Sequence, residues 1–93
     1  MKKLNIGLYG FGVVGKGLYT VLQNSKTVDA VIKTICVKQE KERSIDRKLF
    51  TRDQNRIIND QYINVVVELI DDAEEAYVIV KKALLAGKDG FGQ

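Results

Sequence analysis

Residues 4–15 read LNIGLYGFGVVG, and this short passage indicates the architecture of the residues that follow it. Its first half is mostly apolar and ends at Gly10, a pattern typical of a buried parallel strand. From Val13 onward the apolar residues recur every three or four positions, which is the period of a helix with one apolar face. The passage therefore predicts a strand, a glycine turn and a helix in direct succession.

The turn in this passage has the glycine spacing G-x-G-x-x-G of dinucleotide-binding loops. The first glycine allows a tight turn, the second lets a pyrophosphate approach the backbone, and the third lets the helix pack closely on the sheet. Backbone N–H groups at the start of the helix then bind the anion. The predicted binding loop for NADP or NAD comprises Gly10, Phe11, Gly12, Val13, Val14 and Gly15. An ordinary structural glycine turn is the alternative.

Strands and helices continue to alternate along the rest of the chain. Residues 31–37 and 64–70 are rich in β-branched side chains, and they predict a second and a third strand. Residues 38–60 between them are polar, with room for one short helix. A last helix starts after the two aspartates at 71–72, which are good helix caps, and Gly87 stands where a left-handed stop would end it.

This alternation predicts an α/β protein, because parallel strands need helical crossovers. The predicted architecture is a partial Rossmann fold, a three-stranded parallel sheet of order 3-2-1 flanked by helices. Residues 1–88 form this partial dinucleotide-binding domain, and residues 89–93 form a short tail.

The composition narrows the chemistry that is open to the chain. The 93 residues suffice for one small domain, and they include no His and a single Cys, which excludes His-based triads, most zinc sites and disulfide scaffolds. No segment approaches the roughly 20 apolar residues that cross a bilayer, so we expect a cytoplasmic protein without a membrane partner. The 15 basic residues are interleaved with 12 acidic ones, so we expect no nucleic-acid partner.

The end of the second predicted strand bears on the choice of dinucleotide. The fingerprint expects an acidic residue there, which would accept a hydrogen bond from the ribose 2′-OH, but this chain has Lys38 followed by Gln39. A cation at that position attracts the 2′-phosphate of NADP, so Lys38 is predicted to contact the phosphate with Arg43 as a possible helper. The alternative is a solvated lysine at the end of a strand.

The end of the third predicted strand is where the nicotinamide half of a dinucleotide would extend. Ile70 and Asp71 are therefore included among the predicted cofactor contacts, although helix capping by Asp71 or Asp72 is an adequate explanation for the acids. Glu68 is predicted to pair with a backbone donor or a cation, with ligand contact as the alternative. Cys36 is predicted to be a small buried apolar residue.

Three segments together resemble homoserine dehydrogenases. They are the glycine loop GFGVVG at residues 10–15, the strand VVVELI at 65–70 and the helix ending AGK at 86–88. The resemblance covers residues 3–88 and about the first fifth to quarter of a family member. It implies NAD(P)-dependent reduction of aspartate semialdehyde to homoserine, with the glycine loop at the pyrophosphate and Lys38 at the adenosine 2′-phosphate.

Two departures from the family pattern limit what the resemblance carries over. Family members often have a glycine pair where this chain has Asp71 and Asp72, and they continue after AGK into a strand similar to VVTANK, where this chain reads DGFGQ. That strand and the substrate domain are therefore expected to be missing. No catalytic residue is assigned, and the chain by itself is expected to be inactive. The first strand is expected to be an exposed edge through which the chain self-associates.

Two other classes of function stay open at this point. A nucleotide-sensing or regulatory module would use the same glycine loop without chemistry. A basic nucleic-acid binder is the weaker alternative, because acids interrupt the basic residues throughout.

Overall fold

The computed structural model describes residues 3–39 and 46–92, in which strands and helices alternate along the chain. The strands are β1 (Leu4–Tyr9), β2 (Ala30–Cys36), β3 (Phe50–Thr51), β4 (Val65–Glu68) and β5 (Asp89–Gly92). The helices are α1 (Val13–Asn24), α2 (Gln54–Ile58) and α3 (Ala73–Leu85), and a short 3-10 turn covers Arg47–Leu49. In this described part of the chain, no helix is both long enough and apolar enough to span a membrane.

The five strands of the described residues form one parallel sheet with the order β3-β2-β1-β4-β5. β1 is the central strand, since Tyr9 pairs with Cys36 of β2 on one side and with Glu68 of β4 on the other. This order is that of a Rossmann sheet up to its fifth strand. The predicted α/β class, parallel sheet and flanking helices are confirmed, but the prediction of three strands in the order 3-2-1 is wrong.

The first missed strand lies in the polar stretch between β2 and β4. Phe50 and Thr51 pair in parallel with Ile35 and Cys36, so two residues occupy the sheet position of a third strand. Two residues are too few to show a periodic pattern of apolar side chains. The strand predicted as the third is therefore β4, and it lies beside β1 instead of beyond β2.

The second missed strand is made by the residues predicted to form a tail. Asp89–Gly92 runs parallel to Val65–Glu68 and pairs with it residue by residue. A Cβ on Gly90 would lie 3.2 Å from Val80 Cγ1, so this glycine lets α3 pack closely on β5. This strand forms through backbone pairing with β4 and through the small Gly90, without a run of apolar residues. The expectation that the strand is missing is wrong.

The central place of β1 also corrects the expected exposed edge. Both edges of β1 are hydrogen-bonded, to β2 on one side and to β4 on the other. A strand that is paired on both sides cannot add a strand from another chain. Self-association through Leu4–Tyr9 therefore loses the physical basis from which it was predicted.

Two apolar clusters cover the two faces of the sheet, because side chains alternate along each strand. Under α1, Leu18 and Leu22 pack on a cluster of Ile6, Leu8, Phe11, Ile32, Ile35, Val37 and Val65. Val14 and Val21, which share the apolar spacing of that helix, are exposed. The other face, covered by α2 and α3, holds Tyr9, Cys36, Ile57, Ile63, Val66, Ile79 and Ala83.

The segment that joins α3 to β5 is tied to the loop in front of β4. Gly87 has a φ of +81°, which is the predicted left-handed stop after α3. The next residue, Lys88, is buried, and its Nζ donates to the carbonyl oxygens of Asp60 and Ile63, each at 2.7 Å. These two charge-assisted bonds satisfy the buried ammonium group and hold the start of β5 beside β4.

Close packing of α2 against β1 leads to a stability prediction. A Cβ on Gly7 would overlap with Ile57 Cγ2, and the Ile57 side chain is fully buried. We expect Gly7→Ala to lower the free energy of unfolding by about 1–3 kcal/mol, because the core must shift to accept a methyl group. Urea-induced unfolding, followed by circular dichroism, measures this change.

The matched control is Gly17→Ala, which adds the same methyl group to α1, at a position with no other atom within 4 Å. Alanine is the better helix former, so this variant should raise the free energy of unfolding by about 0.5–1 kcal/mol. Equal urea midpoints for the two variants would contradict the packing argument.

Candidate functional site

A cleft of about 460 Å³ opens at the carboxyl ends of β1, β2 and β4. The direction of strand order reverses there, since β2 and β4 lie on opposite sides of β1. Ligands of open α/β sheets bind at such a reversal because the loops on its two sides separate and leave a crevice. The cleft is lined by Tyr9, Gly10, Gly12, Cys36, Val37, Lys38, Arg52, Gln54, Leu69, Ile70, Asp71, Asp72 and Glu75.

The three glycines of the loop meet three different requirements. Gly10 has a φ of +93°, and a Cβ there would lie 3.1 Å from the Leu69 carbonyl oxygen, so the turn needs glycine. Gly15 is buried, and its Cβ would lie 3.1 Å from the Gly10 carbonyl oxygen, where the helix approaches the loop. A Cβ on Gly12 would have no atom within 4 Å, so open space adjoins the backbone where the fingerprint places a pyrophosphate.

The N-terminus of α1 adds a positive electrostatic contribution at this loop. Gly12 is the N-cap, and because glycine has no side chain, no side-chain oxygen of the N-cap accepts from the first N–H groups of the helix. That turn carries no acidic residue. The first N–H groups of a helix and the positive end of its dipole attract anions, so the local backbone suits a phosphate group.

The other residues of the predicted loop do not line the cleft. Phe11 is buried, and its ring packs edge to face with Phe50 at 5.4 Å and with Tyr19 at 6.3 Å between centroids. Its side chain therefore belongs to the core, and only its backbone can face a ligand. Val13 and Val14 are exposed on the first turn of α1. Of the six loop residues, Gly10 and Gly12 line the cleft itself.

An ion pair crosses the cleft on the side of β2. Lys38 Nζ lies 2.8 Å from Glu75 Oε2, and Gln54 Nε2 donates to Glu75 Oε1 at 2.8 Å. The hydrogen bond that Lys38 donates to the Glu75 carboxylate raises the pKa of Lys38. The sequence predicts a contact at Lys38 but not at Glu75 or Gln54, because nothing in the local pattern indicates that three separate elements meet here. Arg43, the predicted helper, lies outside the described residues.

The residues after β4 lie at the edge of the cleft. Ile70 and Asp71 line the cleft, as a cofactor contact requires. Glu68 is buried and accepts a hydrogen bond from the Ile70 backbone N–H, so it orders the turn that leads to these two residues. Asp72 Oδ1 accepts from the backbone N–H groups of Glu74 at 3.0 Å and Glu75 at 3.1 Å, which is a helix cap.

Two buried residues with weakly acidic side chains, Tyr9 and Cys36, line the cleft. Tyr9 donates its hydroxyl hydrogen to the Gln54 carbonyl oxygen at 2.6 Å, and burial raises the pKa of this phenol. Burial, with smaller contributions from the negative charges of Asp53 and Glu75, raises the pKa of the Cys36 thiol to about 11. Both groups are neutral near pH 7, and Cys36 is the small buried residue predicted from the sequence.

Sequence comparison relates the chain to one group of enzymes. A homoserine dehydrogenase of Helicobacter pylori is 32% identical over 94 residues, which include 94% of this chain and 22% of that protein. The homoserine dehydrogenase of Methylobacillus glycogenes is 35% identical over 98 residues, including 95% of this chain and 24% of that protein. The chain therefore spans less than a quarter of the length of these curated relatives. No protein-family model matches the chain.

Comparison of folds leads to the same group. The crystal structure of Staphylococcus aureus homoserine dehydrogenase at pH 7.0 superposes with a TM-score of 0.84 and 32% identity, covering 99% of this chain and 26% of that one. An apo scyllo-inositol dehydrogenase of Lactobacillus casei has a TM-score of 0.73 at 20% identity, with 98% of this chain and 28% of that one covered. The second likeness is one of fold alone.

The environment of Cys36 predicts slow reaction with thiol reagents. Only the thiolate is nucleophilic, and the pKa rises from 9.0 to about 11 in the folded chain. At pH 8 iodoacetamide should therefore alkylate the folded chain about 100-fold more slowly than the urea-unfolded chain, as followed by mass spectrometry. Cys36→Ala is the negative control, because it removes the single thiol of the chain.

The same pKa difference determines how this thiol affects stability. Between pH 9 and about pH 11 the unfolded chain has lost a proton that the folded chain keeps, so the contribution of Cys36 to stability falls as the pH rises. Equal alkylation rates for folded and unfolded chain at pH 8 would contradict the assigned environment.

Proposed function

This chain matches part of the homoserine dehydrogenases in sequence and in fold, and on that premise we propose that its cleft binds a nicotinamide dinucleotide. The observation that carries the proposal is the open space at Gly12, where the backbone is accessible at the N-terminus of α1. A pyrophosphate needs just such an approach to the backbone, without a Cβ in the way. The chain would thus be the cofactor-binding portion of an oxidoreductase similar to homoserine dehydrogenase.

Each part of the dinucleotide has a proposed place. The backbone of residues 10–15 binds the pyrophosphate, and the end of β2 receives the adenosine ribose. Ile70 and Asp71, after β4, adjoin the nicotinamide half. When bound, the nicotinamide would supply hydride chemistry, which in the whole protein would interconvert aspartate semialdehyde and homoserine.

NADP is the proposed preference, with NAD as the other candidate. Lys38 is the cation at the end of β2, and its side chain is 71% exposed, so the ammonium group can reach a phosphate in the cleft. A phosphate dianion gains more from this contact than a ribose hydroxyl does. The ammonium group is already paired with the Glu75 carboxylate, so the strength of the preference for NADP depends on this pair as well.

The chain by itself is proposed to bind the dinucleotide weakly and to catalyse nothing. Its residues hold and orient one reactant, whereas hydride transfer also requires a bound aldehyde placed against the nicotinamide. No residue of the chain is assigned to that task. A cytoplasmic location is part of the same proposal.

Substitution of Gly12 tests the proposed binding mode. Because a Cβ at this position would meet no neighbouring atom within 4 Å, Gly12→Ala should lower the melting temperature by only a few degrees, through the weaker N-cap that alanine makes. The methyl group would nevertheless enter the space of the pyrophosphate, so we expect NADPH and NADH to bind at least about tenfold more weakly. Isothermal titration calorimetry measures both affinities.

Gly17→Ala serves as the control, since it adds a methyl group to the same helix at another position. Affinities that stay equal to wild type in Gly12→Ala would refute binding at this loop.

Turnover provides a separate test of the catalytic part of the proposal. The purified chain, mixed with NADPH and aspartate semialdehyde, should show NADPH binding but no loss of NADPH absorbance. Sustained oxidation of NADPH at a rate proportional to protein concentration would show that this chain carries catalytic residues after all. Binding without turnover is also the behaviour of a nucleotide-sensing module, which is the second candidate.

A further inference from the structure

Three elements that are far apart in the sequence meet at the adenosine side of the cleft. Lys38 follows the end of β2, Gln54 is the first residue of α2, and Glu75 lies in the first turn of α3. Their side chains form one connected group, in which Glu75 accepts from both Lys38 and Gln54 at 2.8 Å. All three residues line the cleft.

The carboxylate in this group is held more firmly than the ammonium. The Glu75 side chain is 21% exposed and has two partners on two different elements, and it also stands at the positive end of α3. The Lys38 side chain is 71% exposed, and the negative charge of Asp72 attracts it towards the same end of that helix. The cation can therefore move to a ligand more easily than the anion can move away.

When a phosphate binds here, two anions compete for the Lys38 ammonium group. They are the phosphate and the Glu75 carboxylate. A phosphate that binds Lys38 must either share it with Glu75 or draw it away, and in both cases it comes close to a carboxylate. Like charges at such a distance repel each other. A ribose hydroxyl has the opposite effect, because it can donate a hydrogen bond to the carboxylate.

We propose that Glu75 is a specificity-determining residue of this cleft, which penalises the 2′-phosphate of NADP and favours the 2′-hydroxyl of NAD. Selectivity at the end of β2 then depends on the Lys38–Glu75 pair and not on the lysine alone. The inference rests on the proposed dinucleotide site. It goes beyond that site by assigning to a residue of α3 a role that the glycine fingerprint gives to an acid at the end of the second strand.

The test compares NADPH and NADH binding by the wild-type chain and by Glu75→Gln, with calorimetry as the readout. Glutamine keeps the length of the side chain and can still accept from Gln54, but it releases Lys38. We expect the affinity for NADPH to rise about five- to tenfold, and that for NADH to stay unchanged or fall, so that the ratio of the two affinities shifts towards NADPH.

Glu74→Gln is the matched control. It removes one negative charge from the same turn of α3, but Glu74 is exposed and is not among the residues that line the cleft. The affinity ratio should stay within about twofold of the wild-type value, because exposed charges outside the cleft are screened. An equal shift in both variants would overturn the proposal in favour of a general charge effect.

A double-mutant cycle tests whether Glu75 acts through Lys38. Lys38→Met should weaken NADPH binding, and in that background Glu75→Gln should improve it by a smaller factor than in the wild-type chain. Equal factors in the two backgrounds would overturn the role assigned to the pair. Glu75→Asp, which draws the carboxylate back by one methylene group, should shift the ratio in the same direction as Glu75→Gln, and it supplies a second variant if the first unfolds.

The outcomes separate this inference from the proposed function. If the wild-type chain binds neither NADPH nor NADH, the dinucleotide site is refuted and the role of Glu75 with it. If both bind and the affinity ratio is the same in wild type, Glu75→Gln and Glu75→Asp, the site stands and the role of Glu75 alone is refuted. Melting temperatures of all variants show that each comparison concerns folded protein.

Discussion

The pairing of β1 on both of its edges is the constraint on which the rest of the structure depends. Because Tyr9 lies opposite Cys36 on one side and Glu68 on the other, three strands end at the same level. The chain must then turn sharply after Tyr9, close to the Leu69 carbonyl oxygen, and only a glycine at φ +93° fits there. That turn starts α1 beside the crevice between β2 and β4, so the cleft follows from the sheet.

The positive groups that this cleft offers to an anionic ligand are backbone N–H groups and the side chains of Lys38 and Arg52. The space at Gly12 and the N-terminus of α1 suit a phosphate without any cationic side chain. Lys38 supplies a positive charge after the end of β2, but Glu75 has already paired with it at 2.8 Å. The likeness to homoserine dehydrogenases of Helicobacter pylori and Staphylococcus aureus supports the proposed class of cofactor. The proposed choice between NADP and NAD depends on this ion pair.

Much of the fold could be predicted because its signals are local. The glycine spacing in residues 10–15, the cap at Asp72 and the left-handed stop at Gly87 depend on a few neighbouring residues. β3 and β5 could not be predicted in the same way. Phe50–Thr51 is too short to show a period, and Asp89–Gly92 contains two glycines, so both strands owe their existence to backbone pairing with a neighbour. Missing them also produced the wrong strand order and the wrong edge.

The residues of the candidate site likewise differ in whether the sequence alone could predict them. The sequence by itself determined the loop, the cation at Lys38 and the residues after β4, because each follows from its own strand or turn. Only the tertiary structure decided that Phe11 belongs to the core and that Glu75 and Gln54 reach Lys38. Those contacts join residues far apart in the chain, and their distances depend on the order in which β2, β1 and β4 lie side by side. A local sequence pattern does not determine this strand order, because each strand of a sheet pairs with strands that are distant from it in the chain.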